Sequence, residues 1–479
     1  MDPTNRGAED IHDDDRTSAA DRAARRAPRD ATLPAPDPAG QGPVRVVRLV
    51  AGDYLLTVNP LDGSEIEPCP PGELPGRPER HAPAERAELD RAAAPPPPAG
   101  TAGPRLPLVQ RDEVRERLGR LLSRGRSVRL TGPPGAGRSM LLDAVAEDCA
   151  TLAPDGVVRL NGHHRTAGDL LYELFAAVHK APRHRPDRAG LLAAVQEIGA
   201  VVVLDDLEFG GSALDELLDA TPECAFLLAA RPDVPAPSAD SHLEEVFLGG
   251  LDRTGCLELL ERAVDRPLTD EEADWAADLW FESEGLPLRF VQAGALLRQR
   301  DADASGATAV EEHGVFAERA DAVTDATAGG PAGDDSLAPL PSLAQAAAPA
   351  PLLTARLSEA ARETLRFAVA LGGELPHQAH LPALAGDTHA DAAVGELLAC
   401  GLISGVGAHY RLAAGVVDQL LADGYGEDAV SRAHTAAQHY AWWAGHPSVS
   451  PERIALEADA ILAAVSALAG AAGSGQPAA

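Results

Sequence analysis

Between residues 105 and 250 the apolar positions alternate between two periods. "RDEVRERLGRLLSRG" carries its Val and Leu residues on one helical face, and "SVRLT" behind it reads as a short strand. "SMLLDAVAEDCA" is helical again, "DGVVRLNG" extended, and "AGDLLYELFAAVH" helical. "GAVVVLDDLE" is a continuous apolar run of strand length that ends in acids. "SALDELLDA" predicts a helix, and "CAFLLAARPD" and "EEVFLGGL" predict two further strands. Strands alternating with helices imply a parallel sheet covered on both faces. Residues 251–300 then read as helical throughout, a candidate lid. In 351–425, "SEAARETLRFAVAL", "HQAHLPALAG" and "ADAAVGELLACG" are helical and "LISGVGAHYRLA" is a hairpin, the order of a winged helix. Residues 426–479 add two helices and a fraying tail.

The remaining segments lack these periods. Residues 1–43 are charged and Pro-rich and are expected to be disordered. Residues 44–69, "VRVVRLVAGDYLLTVNPLDGSEIEPC", predict a small β-meander with a "DG" turn. Residues 70–104, with "APPPPAG", read as an extended linker, and the Ala/Gly/Asp-rich 301–350 as a flexible one. There is no internal repeat.

Composition narrows the function classes. The chain has 479 residues and a formal net charge of −32, which opposes long-range attraction to nucleic acid or anionic membrane. Cys69, Cys149, Cys224, Cys256 and Cys400 form no CxxC pair, against disulfides or structural zinc and in keeping with a reducing cytoplasm. No apolar signal core opens the sequence, and no apolar run is long enough to span a bilayer. Lys180 is the only lysine in the chain.

That last fact bears on "TGPPGAGRSM", residues 131–140. A strand enters this glycine-rich turn and a helix leaves it, the layout of a phosphate cradle whose donors are backbone amides and a helix N-terminus. Gly132, Pro133, Pro134, Gly135, Ala136, Gly137, Arg138, Ser139 and Met140 are the candidate nucleotide-binding residues. Arg138 stands where such loops carry the lysine that reaches the β- and γ-phosphates, and Ser139 supplies the hydroxyl for Mg2+. Arginine can grip phosphate through two bonds, so the exchange need not abolish binding. It does not act as a point charge, and displacing charge by about 1 Å costs on the order of a hundredfold in rate, so turnover is expected to be weak. The competing explanation is a glycine turn that packs a helix on a sheet and binds nothing.

Further along, "VVVLDDLE" brings Asp205 and Asp206 to the C-terminal end of a buried strand, where ligands sit in open parallel sheets. Asp205 is the candidate Mg2+ ligand together with Ser139. Asp206 is the candidate residue to orient or deprotonate an attacking water. Arg231, closing "AFLLAA", is the third catalytic candidate, a cation within reach of a γ-phosphate. Each has a plain alternative, an acidic helix start or a solvated strand-end arginine.

With these residues and "SEGLPLRFVQAGALLR" (283–298), the chain resembles the STAND signalling NTPases of the NB-ARC type, relatives of the AAA+ ATPases, over roughly 106–425. The resemblance implies an α/β P-loop NTPase fold with a parallel sheet, followed by a helical lid and a winged-helix domain. It implies ATP or ADP with Mg2+, with Pro287 of "GLPL" against the adenine, Arg231 ending the fourth strand and Arg111 in "VQRDEV" from the segment before the first strand. It further implies a cytoplasmic regulatory switch, protein partners and a nucleotide-dependent oligomer. Besides Arg138, the chain departs from the family at Ala413, where the winged helix usually carries a histidine, and in the 301–350 insert. These departures leave a second reading open, a nucleotide-binding scaffold without hydrolysis.

A third reading, DNA binding by the winged helix, is disfavoured by charge. Across 351–424 four arginines face eight acids, and "HADAAVGELLAC" has no Lys or Arg. The basic run "HKAPRHRPDR" (179–188) reads as a solvated loop. His163, His164, His179 and His184 lack an acidic or Cys companion at fixed spacing, against a metal site. Trp442 and Trp443 read as helix core.

Overall fold

A computed structural model describes residues 47–59, 63–98, 106–312, 339–446 and 448–473. The stretch 1–43 and most of the middle of 301–350 lie outside these. The N-terminal strands β1 (Val47–Ala51), β2 (Tyr54–Asn59) and β3 (Gly63–Pro68) form an antiparallel meander. Six strands follow: β4 (Val128–Thr131), β5 (Val157–Asn161), the two-residue β6 (His184–Arg185), β7 (Val201–Leu207), β8 (Ala225–Ala230) and β9 (Glu244–Phe247). All but β6 join one sheet in the order β5-β7-β8-β4-β9, with every neighbouring pair parallel.

The sheet is buried on both sides, as its sequence pattern requires. In β7, Val202 and Leu204 face the core under helices Ala167–Val178, Arg188–Val195 and Ser212–Ala220. Val201 and Val203 face the opposite core, which contains Leu118, Leu141, Leu142 and Val145 of helices Asp112–Leu122 and Arg138–Asp148. Each such leucine is fully buried, worth about 2 kcal/mol of apolar transfer. Local chemistry sets the helix starts: Thr166 Oγ1 accepts from Asp169 N at 3.2 Å, and Asp252 Oδ1 accepts from Gly255 N at 2.8 Å.

Three helices, Arg253–Val264, Asp270–Ser283 and Pro287–Glu312, occupy the candidate lid. The last runs twelve residues into the stretch expected as a flexible linker, and helices Leu343–Ala347 and Ala350–Thr354 lie at that stretch's far end. Helices Glu359–Ala370, Leu381–Ala385 and Ala393–Ala399 precede the hairpin β10 (Ile403–Val406) and β11 (His409–Leu412), and helix Val416–Ala422 follows it. The C-terminal region forms three helices rather than two: Ala429–Ala444, Pro451–Leu456 and Ala458–Gly473.

Two expectations are corrected at the N-terminal side. The stretch 70–104 is not simply extended. It contains helix Pro83–Ala92, which buries no residue and starts with Pro at its first turn and Glu85 accepting from Ala82 N at 2.8 Å. Beyond that helix the prolines lie against the hairpin: Tyr410 Oη donates to the Pro96 carbonyl at 3.0 Å. Nor is 179–188 only a solvated loop. Its β6 pairs in parallel with β1, through Val50 N to Arg183 O and Gly52 N to Arg185 O, both 2.9 Å. Its side chains remain largely in water, so charge and pairing coexist. Trp442 is 70% exposed and is not core, whereas Trp443 is half-buried against His380. No described helix is long and apolar enough to cross a membrane.

Candidate phosphate-binding site

The loop between β4 and helix Arg138–Asp148 is shaped by its glycines. A Cβ on Gly132 would lie 2.3 Å from the Leu248 carbonyl oxygen, so only glycine fits there. Gly135 and Gly137 have φ of 87° and 88°, the left-handed region that glycine enters freely. Gly137 is the helix N-cap and offers no side-chain cap, so the first amides of Arg138–Asp148 have no side-chain acceptor at that position. The space a Gly137 Cβ would occupy is open.

The loop faces the paired acids. The Ser139 side chain lies beside Asp205, whose Oδ1 accepts from Asp206 N at 2.8 Å. Burial pushes the Asp205 carboxyl above its usual range and the Asp206 charge adds to this, with Ser139 and Arg138 opposing. Arg138 is half-buried. Desolvation pulls its guanidinium down, and Asp205 and Asp206 pull it back up. A further constraint is that Asp206 has φ 49°, where β7 changes register against β8 between Leu204 and Leu207. A left-handed non-glycine residue costs on the order of 1 kcal/mol or more, and such strain clusters at functional positions.

Arg231 follows β8 beside Arg138, but its side chain is exposed and pairs with Asp233 at 3.5 Å. Pro287 opens helix Pro287–Glu312, and the next residue ties that helix to the loop: Leu288 N donates to Gly135 O at 3.2 Å while the Leu288 side chain covers Gly135. Met140 is exposed, as are Pro134 and Ser139; Ala136 is buried and Pro133 half-buried. Thus the loop residues, Asp205, Asp206, Arg231 and Pro287 are gathered at one end of the sheet.

Two further arginines reach this region, Arg111, which the family resemblance singles out, and Arg411, which it does not. Arg111 is 9% exposed and donates through Nη2 to the Gly249 carbonyl at 2.6 Å and the Ala136 carbonyl at 3.4 Å, bracing the loop from behind. Arg411 of β11 donates through Nη1 to Asp206 Oδ2 at 3.2 Å, and its Nε lies 2.6 Å from Glu374 Oε1. In sequence Arg411 counted only as charge in the hairpin region; nothing local marks a contact across 205 positions.

The oxygens of Ser139 and Asp205 suit a hard cation such as Mg2+, and the open space at Gly137 with uncapped amides suits a phosphate. Bound nucleotide and Mg2+ would supply the reacting phosphoryl group and its charge neutralisation; the chain would supply the amides, Ser139, Asp205 and the Arg138 cation.

No family model matches the sequence, and no curated protein is matched. Among solved structures, similarity is found to a STAND protein with a tetratricopeptide-repeat sensor from Pyrococcus horikoshii, 12% identical over 78% of this chain and 49% of that one, TM-score 0.44. A Walker-type ATPase of Pyrococcus abyssi is 15% identical over 66% of this chain and 96% of that one, TM-score 0.32. A Thermotoga maritima RuvB mutant is 16% identical over 66% and 95%, TM-score 0.28. The chain thus spans about half the length of the STAND protein it is similar to.

Proposed function

We propose that this chain is a nucleotide-binding P-loop protein of the STAND, NB-ARC-like type. In this reading ATP or ADP with Mg2+ is held between the parallel-sheet domain and the helical lid, and the segment 351–425, a winged helix, follows the bound state. The observation that carries it is the N-terminus behind Gly137, uncapped by any side chain, with Ser139 in its first turn beside Asp205. A switch needs different affinities for two arrangements. The Arg411–Asp206 contact supplies one such difference, because it exists only while the hairpin sits over the acids. The output is protein–protein contact, with an oligomer that depends on nucleotide, in the cytoplasm.

A second reading, binding with little or no hydrolysis, is favoured by two observations. Arg138 replaces the lysine, and the Asp206 carboxylate that would handle the attacking water is held by Arg411. DNA binding has no such support, given the acidic balance of 351–424.

Mg-ATP is expected to raise the melting temperature, and Gly137→Asp, which places a carboxylate in the cradle, to abolish the rise. No shift of the wild type at millimolar nucleotide would remove the reading. Phosphate release by wild type, Arg138→Lys and Asp206→Asn separates the two alternatives: activity appearing only in Arg138→Lys marks the scaffold.

A further inference from the structure

The loops after β5 and β7 bring together three side chains that the nucleotide site does not use. His163 Nδ1 lies 2.6 Å from Glu208 Oε1, and His164 Nδ1 lies 3.5 Å from Glu208 Oε2. All three ligand atoms fall within 4.8 Å of one another. Adjacent residues of an extended chain point to opposite sides, so two neighbouring histidines would normally diverge. Here His164 has φ 54°, and that left-handed turn brings the two rings together, tilted by 34° with centroids 3.7 Å apart, both on the Glu208 side. Strain of this kind at a non-glycine residue needs a compensating contact. Glu208 is itself aimed, because the His164 amide donates to its Oε2 at 3.0 Å.

The far side of His163 is equally specific. Its Nε2 lies 3.3 Å from Glu374 Oε1. Glu374 is 4% exposed; its Oε1 is shared between His163 Nε2 and Arg411 Nε, the latter at 2.6 Å, and its Oε2 faces His409 Nε2 at 3.3 Å, so a carboxylate lone pair is placed for the His163 Nε2–H. A ligating imidazole usually hands its other N–H to a carboxylate, which fixes the ring and its tautomer.

We propose that His163 Nδ1, His164 Nδ1 and the Glu208 carboxylate form a binding site for a divalent transition metal of the zinc class, with Glu374 orienting His163. Two imidazoles and one carboxylate are a borderline donor set that suits Zn2+, Co2+ or Ni2+ and not Mg2+ or Ca2+. Three protein ligands leave the fourth position to water, on the exposed face of His164. The site is separate from Ser139 and Asp205, and it stands whether or not nucleotide binds. Because Glu374 comes from the segment after helix Glu359–Ala370, the metal would also fasten that segment to the sheet.

The full-length protein, stripped with chelator and free of nucleotide, is titrated with Zn2+ by calorimetry, and with Co2+ followed by its visible d–d absorption. One ion per chain is expected, with affinity falling at least about tenfold in His164→Ala and in Glu208→Gln, and about tenfold in Glu374→Gln. His164 is exposed, so its replacement leaves the fold intact even if His163→Ala does not. Asp205→Asn and His439→Ala should bind as wild type does. Absence of binding at micromolar Zn2+, or binding unchanged by His164→Ala and Glu208→Gln, or lost in His439→Ala instead, overturns the proposal.

Discussion

Replacing Arg411 by methionine tests how the hairpin is held on the sheet domain. Arg411 is 20% exposed and faces two carboxylates of different kinds. Asp206, 36% exposed and 3.2 Å away, is a partly solvated partner, and pairs of that type are worth below about 1 kcal/mol. Glu374, at 5% side-chain exposure and 2.6 Å, is buried, and its only other charge partners among the described residues are His163 and His409, both at 3.3 Å. Removing one partner of a buried pair costs about 3–5 kcal/mol, chiefly because a carboxylate is stranded. With two histidines remaining, Arg411→Met should cost about 3 kcal/mol and Asp206→Asn less than about 1. The double variant Arg411→Met/Glu374→Gln strands no charge, so it should recover about 2 kcal/mol relative to the sum of the single changes. Urea midpoints followed by tryptophan fluorescence give these values, and amide exchange in β10 and β11 locates the loosening. If Arg411→Met lies within about 0.5 kcal/mol of wild type, or the double variant is additive, the buried-charge reasoning is wrong.

Three further outcomes follow from other contacts. Gly132→Ala would put a Cβ 2.3 Å from the Leu248 carbonyl oxygen, so the loop must shift; a drop in melting temperature and loss of any Mg-ATP stabilisation are expected together. Glu272, 1% exposed, is held at about 2 against an ordinary 4.5 by its hydrogen bonds to Arg266, which outweigh burial, with Thr269 N and Arg300 assisting. A depressed carboxyl stabilises fully above 4.5 and loses its contribution, about 3 kcal/mol at most, as pH falls towards 2; Glu272→Gln should be less stable at pH 7, with the gap to wild type closing across that window in urea titrations. Tyr410→Phe removes the 3.0 Å bond to Pro96, costs about 1 kcal/mol, and should speed proteolytic cleavage around residues 93–98.

The glycine loop and the buried strands were legible because their causes are local. Positive φ at Gly135 and Gly137 and the unbroken run Val201–Leu204 need no distant partner to leave their mark on the sequence. The register of β6 on β1 is a backbone matter, and main-chain pairing imposes little on side chains that stay in water. Helix Pro83–Ala92 has no buried face to reveal it, although Pro83 and Glu85 were a readable start signal. The histidines His163 and His164 were set aside for want of an acid at fixed spacing. Their acid arrives from another strand: β5 and β7 are parallel neighbours, so the residues just past their ends meet, and Glu208 follows β7 as His163 follows β5. Arg411 on Asp206 depends on how two folded units dock, and no short window of sequence encodes that.

The proline strap bears on how the molecule is made. Pro96 and Tyr410 are 314 positions apart, so during synthesis the strap emerges long before the hairpin that will hold it. The sheet domain and lid can assemble from contacts closer along the chain, whereas this clasp must wait for the 314 positions that separate its halves, and its closure is a late, high-contact-order event.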